Sequence, residues 1–242
     1  MSLRIQAFDI ARGFAIISMV CFHYCYDLVY LSGVDLPWFR PPLQDVWRAS
    51  ISWVFLLIAG CMCSFSSNNL KRALRYGTLA LAIYVVTTIA SVDAPISFGI
   101  IYCMAASTFV EWLLERLGHK PWGLVAALVL FLLFVTCLHV PNGYVGWGSA
   151  RLCLPSEIYS TQWLSWLGLP GPGFVSGDYY PLVPFVLLFL SGSALGWWFA
   201  ERGYPTWFAS LEFGPLEAVG RHPLLIYVLH QPLLLLICRV SS

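Results

Sequence analysis

The chain has 242 residues, of which 59% are hydrophobic and only 10% charged. Soluble domains carry about 25% charged residues, so this composition excludes an ordinary water-soluble fold and places the chain in lipid. The net charge of +1 gives no footprint for a nucleic-acid partner, and the 11 tryptophans fit aromatic belts at the membrane surfaces.

Apolar runs predict membrane-spanning helices near 9–31, 46–65, 73–91, 96–117, 122–140, 180–200 and 221–239, about seven in all. They read as helices because an open chain can satisfy its backbone in lipid only that way. The fold class is therefore all-α: a polytopic transmembrane bundle, taken as one domain over 1–242. The first run is too long for the apolar core of a signal peptide and lacks a clean cleavage pattern, so it is expected to stay as a helix. Most of the eight cysteines lie in these runs, where Cys behaves as a small hydrophobe. No Cys/His spacing suggests a metal site. Cys137 and Cys153 flank the start of the long loop, where a bridge is the lesser expectation.

Orientation follows from the cations. With the N-terminus inside, Arg4, Arg12, Lys71, Arg72, Arg75, Arg116, Lys120, Arg202 and Arg221 fall on the inner side, and Arg40, Arg48, Arg151 and Arg239 on the outer. Nine against four predicts N-terminus in and C-terminus out. The longest segment outside the membrane is then the outer stretch 141–179, with Pro141, Pro155, Pro170 and Pro172 marking it largely as loop. Within it Tyr159, Trp163 and Trp166 recur at helical spacing over Ser156 to Leu169. That pattern predicts a short helix on the membrane surface, or else an aromatic wall over a ligand. The inner stretch 201–219, with Trp207, Phe208 and Phe213, also reads as interfacial.

The first span carries a polar stripe. Arg12 and His23 differ by only about 20° around a helix and lie roughly 16 Å apart along it. One face reads Asp9, Arg12, Ile16, Met19, His23, Asp27 and Tyr30. Asp27 stands one turn beyond His23, placed to accept from the imidazole, fix its tautomer and raise its basicity. Asp9 and Arg12 also fit a plain ion pair at the interface. His23 is harder to explain structurally, because ionisable groups within spans face protein or water and are usually functional.

Other polar points lie later in the chain. Asp178, near the start of the sixth span, fits either an acidic N-cap or a substrate-binding carboxylate. Glu111, Glu115 and Arg116 read as a local charge group. In the last span Pro232 frees the carbonyl of Val228 and predicts a kink beside His230 and Gln231. His230 either acts in a site there or bonds a neighbouring helix. Arg221, nine residues before it, would face the opposite side of one continuous helix.

Several segments together resemble a known family. They are Asp9-Ile10-Ala11-Arg12-Gly13-Phe14-Ala15-Ile16 with Phe22-His23 and Asp27-Leu28, then Phe55-Leu56-Leu57-Ile58-Ala59-Gly60, then Ser97-Phe98-Gly99-Ile100-Ile101. Asp178-Tyr179-Tyr180-Pro181-Leu182-Val183-Pro184 and Gly220-Arg221-His222-Pro223-Leu224-Leu225-Ile226-Tyr227, with Leu229-His230-Gln231-Pro232, complete the set. In this order they resemble bacterial relatives of the heparan-alpha-glucosaminide N-acetyltransferase catalytic domain, within the transmembrane acyltransferases. The resemblance implies acyl transfer from cytoplasmic acetyl-CoA to an amino sugar, glycan or other small acceptor at the far side of a bacterial inner membrane. It implies no metal, and a homodimer only as a family-level expectation. His23 then matches the catalytic histidine of the first helix, with Asp27 beside it. Tyr102 stands where members often carry histidine, and it joins Asp178, His230 and Gln231 as candidate substrate-binding residues. Arg12, Lys71, Arg72, Arg75, Arg221 and His222 are the candidate cations for the anionic coenzyme A, although the positive-inside anchor explains them equally well. A proton or ion path along the helix 1 stripe, in a transporter or channel, is the alternative from another class.

Overall fold

The computed structural model describes residues 5–91, 93–119 and 123–241, with side chains described as far as Cys238. Arg4 and Lys120, two of the cations used for orientation, lie outside the described residues, as does the side chain of Arg239. Nine helices are described: α1 Gln6–Tyr26, α2 Leu43–Cys61, α3 Asn69–Ala90, α4 Ile100–Arg116, α5 Leu124–Cys137, α6 Leu182–Arg202, α7 Thr206–Ala209, α8 Gly214–Gly220 and α9 Pro223–Ser241. Among the described residues, five helical stretches are long and apolar enough to cross a membrane, and α8 with α9, bent by 82°, makes a sixth if the pair is one span. The remaining expected span is α4, whose 17 residues rise about 25 Å. The chain is thus a mostly helical, multi-pass membrane protein.

The chain divides into two compact units, Met1–Phe55 with Gly203–Ser242, and Leu56–Arg202. In the first unit α1 lies hard against α8. A Cβ on Gly13 would run into the carbonyl oxygen of Leu216, and one on Gly220 into that of Asp9. Small residues are what let two helices approach so closely in lipid, where no hydrophobic effect drives them together. Beyond this contact Ile16, Met19, Phe22, Phe39 and Ile51 form a buried apolar cluster. Trp47 Nε1 donates to Ser18 Oγ at 2.7 Å and so ties α2 to α1.

The second unit uses the same device. A Cβ on Gly60 would strike the carbonyl of Phe189, and one on Gly192 that of Leu57, so the end of α2 seats directly on α6. Ser191 Oγ donates to the Ala127 carbonyl at 2.8 Å, joining α6 to α5. The backbone of 95–100 is laced to that of 176–180. Gly177 N donates to Pro95 O at 3.2 Å and Tyr180 N to Phe98 O at 2.8 Å.

The outer segment departs from expectation. It holds a β-hairpin, β1 Tyr144–Trp147 and β2 Ala150–Cys153, paired Tyr144 to Cys153 and Trp147 to Ala150. The helix expected over Ser156 to Leu169 is instead two 3₁₀ turns, Ser156–Tyr159 and Gln162–Leu164. Thr161 breaks it. Its backbone is extended, and its hydroxyl accepts from Trp163 N, capping the second turn separately. Trp163 is 83% exposed and Trp166 40%. Cys137 and Cys153 are both free thiols. The inner stretch becomes α7 and α8, with Trp207 and Phe213 exposed while Phe208 packs edge-on against Phe8.

Candidate functional site

The residues singled out in the sequence fall into both units. In the first unit, the helix 1 stripe is real at its N-terminal end and altered at its C-terminal end. Arg12 Nη2 pairs with buried Asp9, and Arg12 Nε donates to the Phe8 carbonyl at 3.2 Å. The plain ion pair therefore accounts for both residues.

At its C-terminal end α1 does not continue as an α-helix. Asp27–Leu31 forms a π-helical turn, which widens the helix and shifts every later side chain around the axis. Tyr30 accordingly leaves the stripe, and its hydroxyl donates to Gln44 Oε1 at 3.2 Å. Asp27 is fully buried. Its two oxygens accept from Gln231 Nε2, at 3.0 and 3.1 Å. The expected bond from His23 to Asp27 is not among those formed. The carboxylate is engaged from α9 instead, which anchors that helix to α1.

His23 packs its ring against that of His230, 4.9 Å between centroids, and edge-on against Phe22 at 5.7 Å. His230 is 7% exposed. Its Nδ1 lies 2.6 Å from the Tyr227 carbonyl. A carbonyl only accepts, so Nδ1 carries a proton there and neutral His230 holds its lone pair on Nε2. Nε2 is buried with no partner among the described residues, and so is Gln231 Oε1. His23, Asp27, His230 and Gln231 thus meet at one place. Arg221 does not join them. It caps the end of α8 before the 82° bend and pairs with Glu217 at 3.2 Å, so the nine-residue count along one helix does not apply. His222 is exposed at the same bend.

In the second unit Asp178 caps a helix, but not the one expected. α6 begins only at Leu182, and Asp178 Oδ2 accepts from Ile100 N at 3.0 Å, at the start of α4. Gly99 is required there, since a Cβ would sit 2.8 Å from Asp178 Oδ2. Tyr102, one turn on, donates to the Trp166 carbonyl at 3.4 Å. With Gly77, Ala80, Leu81, Tyr84, Ser97 and Phe98 it lines a largely apolar cavity of about 350 Å³. Burial pushes the Tyr179 phenol up, so it remains an O–H donor, bonded to the Ser165 carbonyl at 2.7 Å.

The three cations of α3 differ in kind. Lys71 and Arg75 are exposed. Arg72 is committed. Nη2 donates to the Ala59 carbonyl at 2.7 Å, Nη1 to Cys63 Sγ at 3.5 Å and Nε to the Tyr76 hydroxyl at 3.4 Å. Glu111 turns away from the expected charge group around Arg116. It is fully buried and accepts from Ser193 Oγ at 2.6 Å and Trp197 Nε1 at 3.2 Å. That partnership went unread, although Ser193 and Trp197 stand four apart on an apolar helix and so share a face. The Tyr227 carbonyl beneath His230 was also missed, and a backbone acceptor leaves no signal in a sequence.

A sequence profile described as "Heparan-alpha-glucosaminide N-acetyltransferase, catalytic" matches residues 4–232. No curated protein and no solved structure matches the chain.

Proposed function

The chain belongs to the heparan-alpha-glucosaminide N-acetyltransferase catalytic family, and from that premise we propose that it moves an acetyl group from cytoplasmic acetyl-CoA to a small acceptor at the outer side of a bacterial cytoplasmic membrane. Amino sugars and other cell-envelope glycans are the acceptor class in view. One observation carries the reading at the level of the site: His23 and His230 meet beside a buried Asp27–Gln231 pair, within mainly apolar helices. Such groups are costly in a bilayer and mark function when they cluster.

His23 is the residue best placed to meet ligand. It is only partly buried, and no protein hydrogen bond holds either ring nitrogen among the described residues. The acceptor attacks the thioester carbonyl directly, with both substrates bound, while an imidazole of this pair removes the proton. Proton transfer of that kind contributes roughly 10²- to 10⁴-fold in rate. Asp27 and Gln231 hold the two helices together around the pair. Taking each unit by itself, Lys71 and Arg75 of the second are candidates for coenzyme A phosphates while Arg72 is bound to protein, and in the first His222 is exposed while Arg12 and Arg221 are paired.

His23→Ala is expected to lower acetyl transfer by at least about 100-fold without changing the melting temperature in detergent. Normal turnover by that variant would refute the assignment. Acetyl-CoA is expected to raise the melting temperature of the unmutated protein. Ion or proton flux in liposomes without any acetyl-CoA dependence would point to the path reading instead.

A further inference from the structure

The geometry points to His230 Nε2, rather than a nitrogen of His23, as the atom that takes the proton from the acceptor. This rests on the acetyltransferase reading and divides its labour between the two histidines. A general base needs its lone pair aimed at the substrate and its other nitrogen held, so that the tautomer is set before substrate arrives. His230 has its other nitrogen held and its lone pair uncommitted. The Tyr227 carbonyl holds Nδ1–H at 2.6 Å, and Nε2 is buried without a protein donor. His23 lacks the held nitrogen, since no hydrogen bond within the described residues fixes its tautomer.

The neighbouring residue supports the same choice. Gln231 spends its amide nitrogen on Asp27, which leaves Oε1 as a second buried acceptor with nothing donating to it. Two adjacent residues of α9 therefore present acceptor atoms only. Leaving such atoms unpaired in a buried setting is costly, because they lose water without gaining a donor. A thioester carbonyl cannot satisfy them, because it too only accepts. The acceptor nucleophile can, through its own N–H or O–H. The nucleophile accordingly docks on the His230–Gln231 side, and His23 is left to donate an N–H to the thioester carbonyl as negative charge develops there.

The step balances within the pair. The nucleophile's N–H or O–H proton passes to His230 Nε2 as its lone pair forms a bond to the acetyl carbon. The C–S bond then breaks and its electron pair leaves on sulfur. The imidazolium of His230 returns the proton to that sulfur, giving the acetylated acceptor, free coenzyme A thiol and neutral His230.

Asparagine and glutamine separate the two ring nitrogens. His230→Asn keeps an amide N–H near the position of Nδ1 to serve the Tyr227 carbonyl, and lacks Nε2. With acetyl-CoA as donor and glucosamine and a panel of amino and hydroxyl sugars as acceptors, this variant is expected to lose at least about 100-fold in kcat. Its KM for acetyl-CoA and its melting temperature stay near those of the unmutated protein. A merely structural His230 predicts the reverse: kcat retained within a few-fold in His230→Asn, and melting temperature lowered in His230→Gln, which loses the bond to Tyr227. That result overturns the assignment while leaving the acetyltransferase reading intact. Failure of the unmutated protein to acetylate any member of the panel overturns both.

Discussion

At the scale of single residues, Asp27 is the most exacting position. It is fully buried within an apolar helix, and Gln231 Nε2 serves both its oxygens. A hydrogen bond to a charged group contributes about 1.5–3 kcal/mol, so Gln231→Leu is expected to cost that much in stability. Asp27→Leu with Gln231→Leu should cost less than the sum of the single changes, because both remove one interaction. Thermal melts of the two singles and the double decide this, and strictly additive losses would sink the pairing. The sequence named both residues, and it also named His23 and His230. It paired them wrongly, because a spacing of four along a regular helix puts His23 over Asp27. That step is regular, since Asp27 N still donates to the His23 carbonyl, but the carboxylate is taken by Gln231 from 204 residues away, a partner no local spacing reveals; the π-helical turn that begins at Asp27 displaces only later residues such as Tyr30. The bond from His230 to a backbone carbonyl was equally hidden.

At the scale of elements, charged and polar side chains act mainly on helix ends. Arg72 bonds the Ala59 carbonyl in the last turn of α2, where a cation also favours the helix dipole. Lys71 and Arg75 make no such contact among the described residues. Arg72→Ala is therefore expected to lower the melting temperature while leaving KM for acetyl-CoA unchanged. Lys71→Ala with Arg75→Ala should raise that KM several-fold at unchanged stability. Steady-state kinetics alongside melting separates the two, and a raised KM in the Arg72 variant alone would reverse the assignment. Asp178 caps α4 from 78 residues away, and Asp178→Ala is expected to cost about 1 kcal/mol, in the range of lost N-caps. Helix existence was legible from apolar runs, and each expected span has a helix in it. The hairpin at 144–153 was not, since Gly146 and Gly148 read as loop residues without a partner strand in view. The failed helix at 156–169 turned on one residue, Thr161, whose short polar side chain competes with the helix for backbone donors.

At the scale of the whole molecule, topology turns on α4. The five long spans with the bent α8–α9 pair make six, which would return the C-terminus to the side of the N-terminus. Only if the 17-residue α4 also crosses does the chain end on the side expected from the distribution of Lys and Arg. A C-terminal alkaline phosphatase fusion is expected to be active in intact bacterial cells, and a C-terminal green fluorescent protein fusion dark. The opposite pattern would make α4 a buried, non-crossing helix. The cations could be counted in the sequence, whereas the shortness of α4 and the bend after Gly220 could not be.

The bond between Asp27 and Gln231 joins groups separated by 204 residues of chain. At bacterial and eukaryotic elongation rates of about 5–20 residues per second, the first group waits roughly 10–40 seconds for the second to be synthesised. Through that interval α1 enters the membrane with its carboxylate lacking the amide that will hold it. The pair is thus completed only once α9 has been made, and a ribosome that stalls before α9 leaves α1 in the membrane without its Gln231 contact.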